Sequence, residues 1–169
     1  MKFNIPNSLT LTRILLIPLI VYLFLSNEES YRIAIFSLFL LATITDYLDG
    51  FFARYMKQVT SFGEFLDPVA DKLLVIITLI LLITENQDIF FLIPVLIIIT
   101  REFLVIAIRQ RLAEVGENIK LSVLLISKIK TAIQLISLLL LLFKFPLFGI
   151  DIYQLGIHLL QIASLLTLI

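Results

Sequence analysis

Asp46-Tyr47-Leu48-Asp49-Gly50-Phe51-Phe52-Ala53-Arg54, followed by Gly63-Glu64-Phe65-Leu66-Asp67-Pro68-Val69-Ala70-Asp71, sets four aspartates in long apolar surroundings. An ionised carboxylate in hydrocarbon costs about 2.5 kcal/mol or more, so intramembrane aspartates point to function by default. Asp46 and Asp49 are three residues apart, and Asp67 and Asp71 four apart. On helices each pair shares one face, and sequential helices can turn those faces toward each other. Four such carboxylates repel unless cations lie between them. Oxygen donors without His or Cys favour Mg²⁺, Mn²⁺ or Ca²⁺.

The surroundings establish the fold class. Of 169 residues, 60% are hydrophobic and 15% charged, with a mean hydropathy of +1.10. Soluble domains are roughly half apolar and one-quarter charged. Apolar runs lie at 9–25, 32–54, 68–84, 89–108, 121–143 and 150–168, separated by polar stretches such as Glu85-Asn86-Gln87-Asp88. A spanning helix needs about 20 residues. The expectation is an all-α polytopic membrane protein with six transmembrane helices, forming a single membrane domain over residues 1–169. A short N-terminal interfacial segment is expected before the first span, with breaks at Pro6 and Asn7.

With the N-terminus inside, Lys2, Arg13, Arg54, Lys57, Lys72, Arg101, Arg109, Arg111, Lys120, Lys128 and Lys130 fall on the cytoplasmic side, and only Arg32 and Lys144 outside. Eleven against two implies N-in, C-in topology in the cell (inner) membrane, with the aspartates facing the cytoplasm. Asp46 would lie about 12 Å below Arg54, within reach of water-soluble substrates. A net charge of zero argues against nucleic acid as a partner. The absence of cysteine excludes disulfides and thiolate chemistry.

Gly50 stands one turn after Asp46, Ala53 one turn after Asp49, and Gly63 one turn before Asp67, leaving room for a bulky phosphorylated ligand beside the carboxylates. Small residues at helical spacing also serve close helix packing, and Gly50 or Ala53 alone would not separate the two roles. Arg54, at the membrane edge, can hold a phosphate bidentately. His158, alone in the last run, reads as a packing or interhelical hydrogen-bonding residue rather than a ligand. Pro18 and Pro94 read as tolerated kinks.

The pattern D-x2-D-G-x2-A-R-x8-G-x3-D-x3-D, filled at eight positions over the 26 residues Asp46–Asp71, resembles the signature of the CDP-alcohol phosphatidyltransferase family. Asn4-Ile5-Pro6-Asn7-Ser8-Leu9-Thr10 with Arg13, Arg101-Glu102-Phe103 and Lys128-Ile129-Lys130-Thr131 are similar to segments of bacterial members whose acceptor is glycerol 3-phosphate. Ser127 departs from the glycine often found before that first lysine.

The resemblance implies transfer of the phosphatidyl group of CDP-diacylglycerol to glycerol 3-phosphate, giving phosphatidylglycerophosphate and CMP in anionic phospholipid biosynthesis. It implies two divalent metal ions, Mg²⁺ with Mn²⁺ as the alternative, on Asp46, Asp49, Asp67 and Asp71, and Asp71 as the base. Gly50, Ala53, Arg54, Thr60 and Gly63, with Asn7 and Thr12, would receive CDP-diacylglycerol. Arg101, Arg109, Lys128 and Lys130 would hold the acceptor phosphate, although Arg109 could equally be a topological anchor. A homodimer in the lipid bilayer is implied as well. The alternatives are the same donor chemistry with inositol phosphate, serine or phosphatidylglycerol as acceptor, or a divalent-cation transporter.

Overall fold

The computed structural model describes the backbone of residues 5–26, 28–56, 61–114, 125–146, 149 and 151–168, and within these the side chains of residues 10–26, 28–46, 69–70, 72–108, 111, 128–146, 149 and 151–168. Among them the chain is all helical: α1 (Ile5–Leu25), α2 (Arg32–Met56), α3 (Ser61–Glu85), α4 (Ile89–Glu114), α5 (Leu125–Phe143) and α6 (Ile152–Leu168), with a 3-10 turn at Glu29–Tyr31. Each helix falls on one of the six apolar runs.

The helix ends follow from local chemistry. Asp88 Oδ1 accepts the N–H of Phe90 at 3.3 Å, and Asp151 Oδ1 accepts the N–H groups of Tyr153 and Gln154 at 3.1 Å each. These two aspartates cap α4 and α6, whose first N–H groups have no intrahelical partner. Lys144 has φ 58° immediately after α5, the left-handed conformation that ends many helices.

The break expected at Pro6 and Asn7 is absent, since α1 runs without interruption from Ile5. Pro6 occupies the first turn, where a missing N–H removes no hydrogen bond and the fixed φ suits a helix. Pro18 and Pro94 lie inside α1 and α4, which continue past them.

Two compact units are formed by Met1–Leu81 with Leu142–Lys144, and by Leu82–Leu141 with Phe145–Ile169. In the first, α1 packs on α2. Thr10, Arg13, Ile17, Ile20 and Phe24 form the buried stripe of α1, and Ile35, Phe39 and Ala42 that of α2. The rings of Phe36 and Phe143 meet edge to face, with centroids 5.2 Å apart.

In the second unit α4 packs on α6. Phe91, Val95, Ile98 and Glu102 follow one another along the buried stripe of α4. Gln161 Nε2 donates to the Phe90 carbonyl at 3.2 Å, tying α6 to the start of α4. Ser137 Oγ donates to the Gly156 carbonyl at 2.8 Å in a buried contact between α5 and α6. Gly156 permits that approach, because a Cβ there would lie 2.9 Å from Leu141 Cγ.

Among the described residues, Ile89–Ile108 is the one stretch long and apolar enough to cross a membrane by that measure alone, while Thr10–Leu25 and Ile152–Leu168 are shorter apolar helices.

Candidate functional site

Asp46 and Asp49 lie on α2, and Asp67 and Asp71 on α3, so both carboxylate pairs have the helical register their spacing predicts. Of the four side chains, that of Asp46 is among those described. Among the described residues, no three His, Cys, Asp or Glu side chains gather into a metal-sized cluster. Asp49, Asp67, Asp71, Asn7, Ala53, Arg54 and Arg109 have side chains outside that description, and Gly50 and Gly63 lie within α2 and α3. Thr60 lies outside the described residues altogether.

Asp46 receives a partner that its motif does not contain. Arg13 Nη1 on α1 lies 3.3 Å from Asp46 Oδ1, with the Arg13 side chain 1% exposed and that of Asp46 42% exposed. The intervals of the two helices explain the meeting. Arg13, Ile17, Ile20 and Phe24 are spaced four, three and four residues apart, and Ile35, Phe39, Ala42 and Asp46 repeat those intervals. Antiparallel packing of two stripes with equal intervals brings the ends of the seam level with each other. Sequence reasoning placed Arg13 among the topological markers and in the N-terminal resemblance, and did not set it beside Asp46. Its place at the end of an apolar stripe was the available signal.

The candidate cations of the second unit differ in their surroundings. Lys130 Nζ lies 3.0 Å from Glu102 Oε1, both side chains being buried. Arg101 Nη1 is 3.4 Å from the same oxygen, with its side chain 34% exposed. Lys128 is exposed. Glu102 thus accepts from two cations, and Arg101 and Lys128 present the more accessible charge. Thr12 is exposed on α1. His158 Nδ1 lies 3.4 Å from Gln161 Oε1 on its own helix, in an exposed contact.

The donor chemistry suits hard divalent cations. Aspartate oxygens are the type of ligand that Mg²⁺ and Mn²⁺ take, and Asp46, paired with Arg13 through one oxygen, keeps 42% of its side chain exposed.

The sequence profile of the CDP-alcohol phosphatidyltransferase family matches residues 3–169. A protein of Wigglesworthia glossinidia brevipalpis, named CDP-diacylglycerol–glycerol-3-phosphate 3-phosphatidyltransferase, is 43% identical over 100% of this chain and 93% of its own length. A protein of that name from Haemophilus influenzae is 44% identical over 82% of this chain and 75% of its own. Another, from Escherichia coli K12, is 40% identical over 99% and 91%. With the aspartate register on α2 and α3 in place and the likeness running through the whole length, this chain belongs to the CDP-alcohol phosphatidyltransferase family.

Proposed function

We propose that the protein transfers the phosphatidyl group of CDP-diacylglycerol to glycerol 3-phosphate, releasing CMP and forming phosphatidylglycerophosphate. The observation that carries this reading is the full-length likeness to relatives named for that reaction, combined with a completely filled aspartate motif on two consecutive helices.

In the proposed reaction the acceptor hydroxyl oxygen bonds to the β-phosphorus of CDP-diacylglycerol. The bond from that phosphorus to the bridging oxygen breaks, CMP leaves with its electron pair, and Asp71 takes the hydroxyl proton. Asp46, Asp49, Asp67 and Asp71 would hold two divalent cations, Mg²⁺ or Mn²⁺, which when bound neutralise pyrophosphate charge and polarise the phosphoryl group. Gly50, Ala53 and Gly63 leave room for the nucleotide, which Thr60, Asn7 and Thr12 flank, and Arg54 pairs with phosphate. Arg101, Arg109 and Lys128 attract the acceptor's phosphate. Lys130 adds charge from its buried place beside Glu102.

The setting for this chemistry is a single domain whose six helices cross the cell (inner) membrane, N-terminus and site toward the cytoplasm. Outward-facing apolar side chains support it: Leu15 and Tyr22 on α1, Phe90 on α4 and Leu165 on α6 are all more than 60% exposed. In water such surface would be a liability, whereas lipid accepts it. On the family resemblance the protein works as a homodimer, which crosslinking in native membranes tests.

The decisive experiment measures CMP release by purified protein with CDP-diacylglycerol and Mg²⁺, offering glycerol 3-phosphate, serine, inositol phosphate or phosphatidylglycerol in turn. Release with glycerol 3-phosphate alone is expected. Preference for another acceptor moves the acceptor assignment, and no release with any of them removes the enzymatic reading in favour of cation transport.

A further inference from the structure

We infer that Arg13 is a positioning residue for the candidate metal centre: its buried guanidinium holds one carboxylate oxygen of Asp46 and so aims the other at the cation. This rests on the reading of the four aspartates as divalent-cation ligands.

Three observations converge on it. Arg13 Nη1 is 3.3 Å from Asp46 Oδ1, so the contact is made to one named oxygen of the first aspartate in the motif. Arg13 is 1% exposed and sits among Thr10, Ile17 and the other buried residues of α1, so its long side chain is confined rather than free to swing away. The Asp46 side chain is 42% exposed, so it keeps accessible surface while one oxygen is held. A carboxylate on a short side chain retains rotation about its terminal torsion, and a fixed donor on one oxygen removes much of that freedom. Partners that orient metal ligands in this way are worth roughly 10-fold to 100-fold in metal affinity or activity.

The alternative is that Arg13 merely pins α1 to α2, or merely balances charge until a metal arrives. These roles differ in sign. As a counter-charge, the guanidinium would repel an incoming divalent cation, so removing it would tighten metal binding. As a helix tie alone, its removal would lower stability but leave the affinity of the folded fraction unchanged. As a positioning group, its removal weakens metal binding by folded protein.

The test is Mn²⁺ binding to the detergent-purified full chain, read by electron paramagnetic resonance without substrates, together with the melting temperature. Arg13→Met is expected to weaken Mn²⁺ binding by roughly 10-fold to 100-fold. Arg13→Lys, which keeps charge but not the planar fork, should fall between it and the wild type. Unchanged or tighter binding by folded Arg13→Met overturns the inference. If that variant does not fold, Arg13→Lys decides alone, and wild-type Mn²⁺ affinity in it overturns the inference. A wild-type protein that binds no Mn²⁺ overturns the metal reading itself and this inference with it, a result distinct from wild-type binding that Arg13 does not influence.

Discussion

Lys130 Nζ on α5 and Glu102 Oε1 on α4 lie 3.0 Å apart with side chains 3% and 1% exposed. Glu102 ends the buried apolar series Phe91, Val95, Ile98, and Lys130 begins the series Gln134, Ser137, Leu141 on α5. The same design ends the α1–α2 seam, where Arg13 meets Asp46. In each unit a buried stripe of one helix, apolar along most of its length, ends on a charge pair with another helix.

A buried pair of this kind is costly to break and cheap to replace. Glu102→Leu alone is expected to destabilise the protein by about 3–5 kcal/mol, because Lys130 then keeps its charge in a desolvated place without that carboxylate, and Lys130→Met alone by less, because Arg101 still pairs with Glu102. The double substitution Glu102→Leu with Lys130→Met should recover most of that loss. Denaturant unfolding of the four proteins in one detergent measures the coupling, and additive losses would show that the two charges do not support each other.

Gly156 is set by space. A Cβ at this position would approach Leu141 Cγ to 2.9 Å and the Leu141 backbone nitrogen to 3.2 Å, beside the bond from Ser137 Oγ to the Gly156 carbonyl. Gly156→Ala is expected to cost about 1–3 kcal/mol through overpacking despite its better helix propensity. Adding Leu141→Ala removes the side-chain clash but not the backbone one, so the rescue should be partial. A Gly156→Ala protein with an unchanged melting temperature would mean that the α5–α6 approach is not tight.

Much of this arrangement is legible in the sequence. Six apolar runs give six helices, and Asp88 and Asp151 mark the starts of α4 and α6 because a short carboxylate at that place satisfies exposed N–H groups. Pro6 misleads, since proline breaks a helix interior but opens a first turn readily. The aspartate register follows directly from spacing. What spacing along one helix cannot show is which residue of another helix comes level with it, and so Arg13 beside Asp46 and Glu102 between Arg101 and Lys130 emerge with tertiary packing.

Arg101, half-buried and 3.4 Å from Glu102, is the acceptor-phosphate candidate that combines a defined contact with an accessible guanidinium. Loss of a charge-assisted hydrogen bond costs about 1.5–3 kcal/mol, so Arg101→Met should raise the KM for glycerol 3-phosphate roughly tenfold to a hundredfold. The KM for CDP-diacylglycerol should change by less than about twofold, the donor being held elsewhere in this reading. An equal rise in both constants would remove the acceptor role.

Asp71 and the metal can be separated by two treatments. A positioned general base contributes about 100-fold to 10,000-fold, and Asp71→Asn is expected to lose at least that in CMP release. Chelation of the wild type should abolish activity, with full recovery on adding Mg²⁺. Excess Mg²⁺ should not rescue Asp71→Asn, because occupancy of the remaining ligands does not restore a proton acceptor. Rescue to the wild-type rate would assign Asp71 to metal binding alone.

The topology yields to the chain's own composition, since it contains no cysteine and any introduced thiol is unique. Glu28 and Gln87, exposed in the connections before α2 and α4, should lie outside the cell, and Arg111, exposed near the end of α4, inside. An impermeant maleimide applied to intact spheroplasts is expected to label Glu28→Cys and Gln87→Cys, and to reach Arg111→Cys and Lys57→Cys only after permeabilisation. The charge distribution makes this a stringent test, because eleven of the 13 Lys and Arg residues depend on one orientation. Labelling of Lys57→Cys from outside would invert the membrane orientation and put the aspartates on the face opposite to the cytoplasmic pool of glycerol 3-phosphate, which the proposed reaction could not then use.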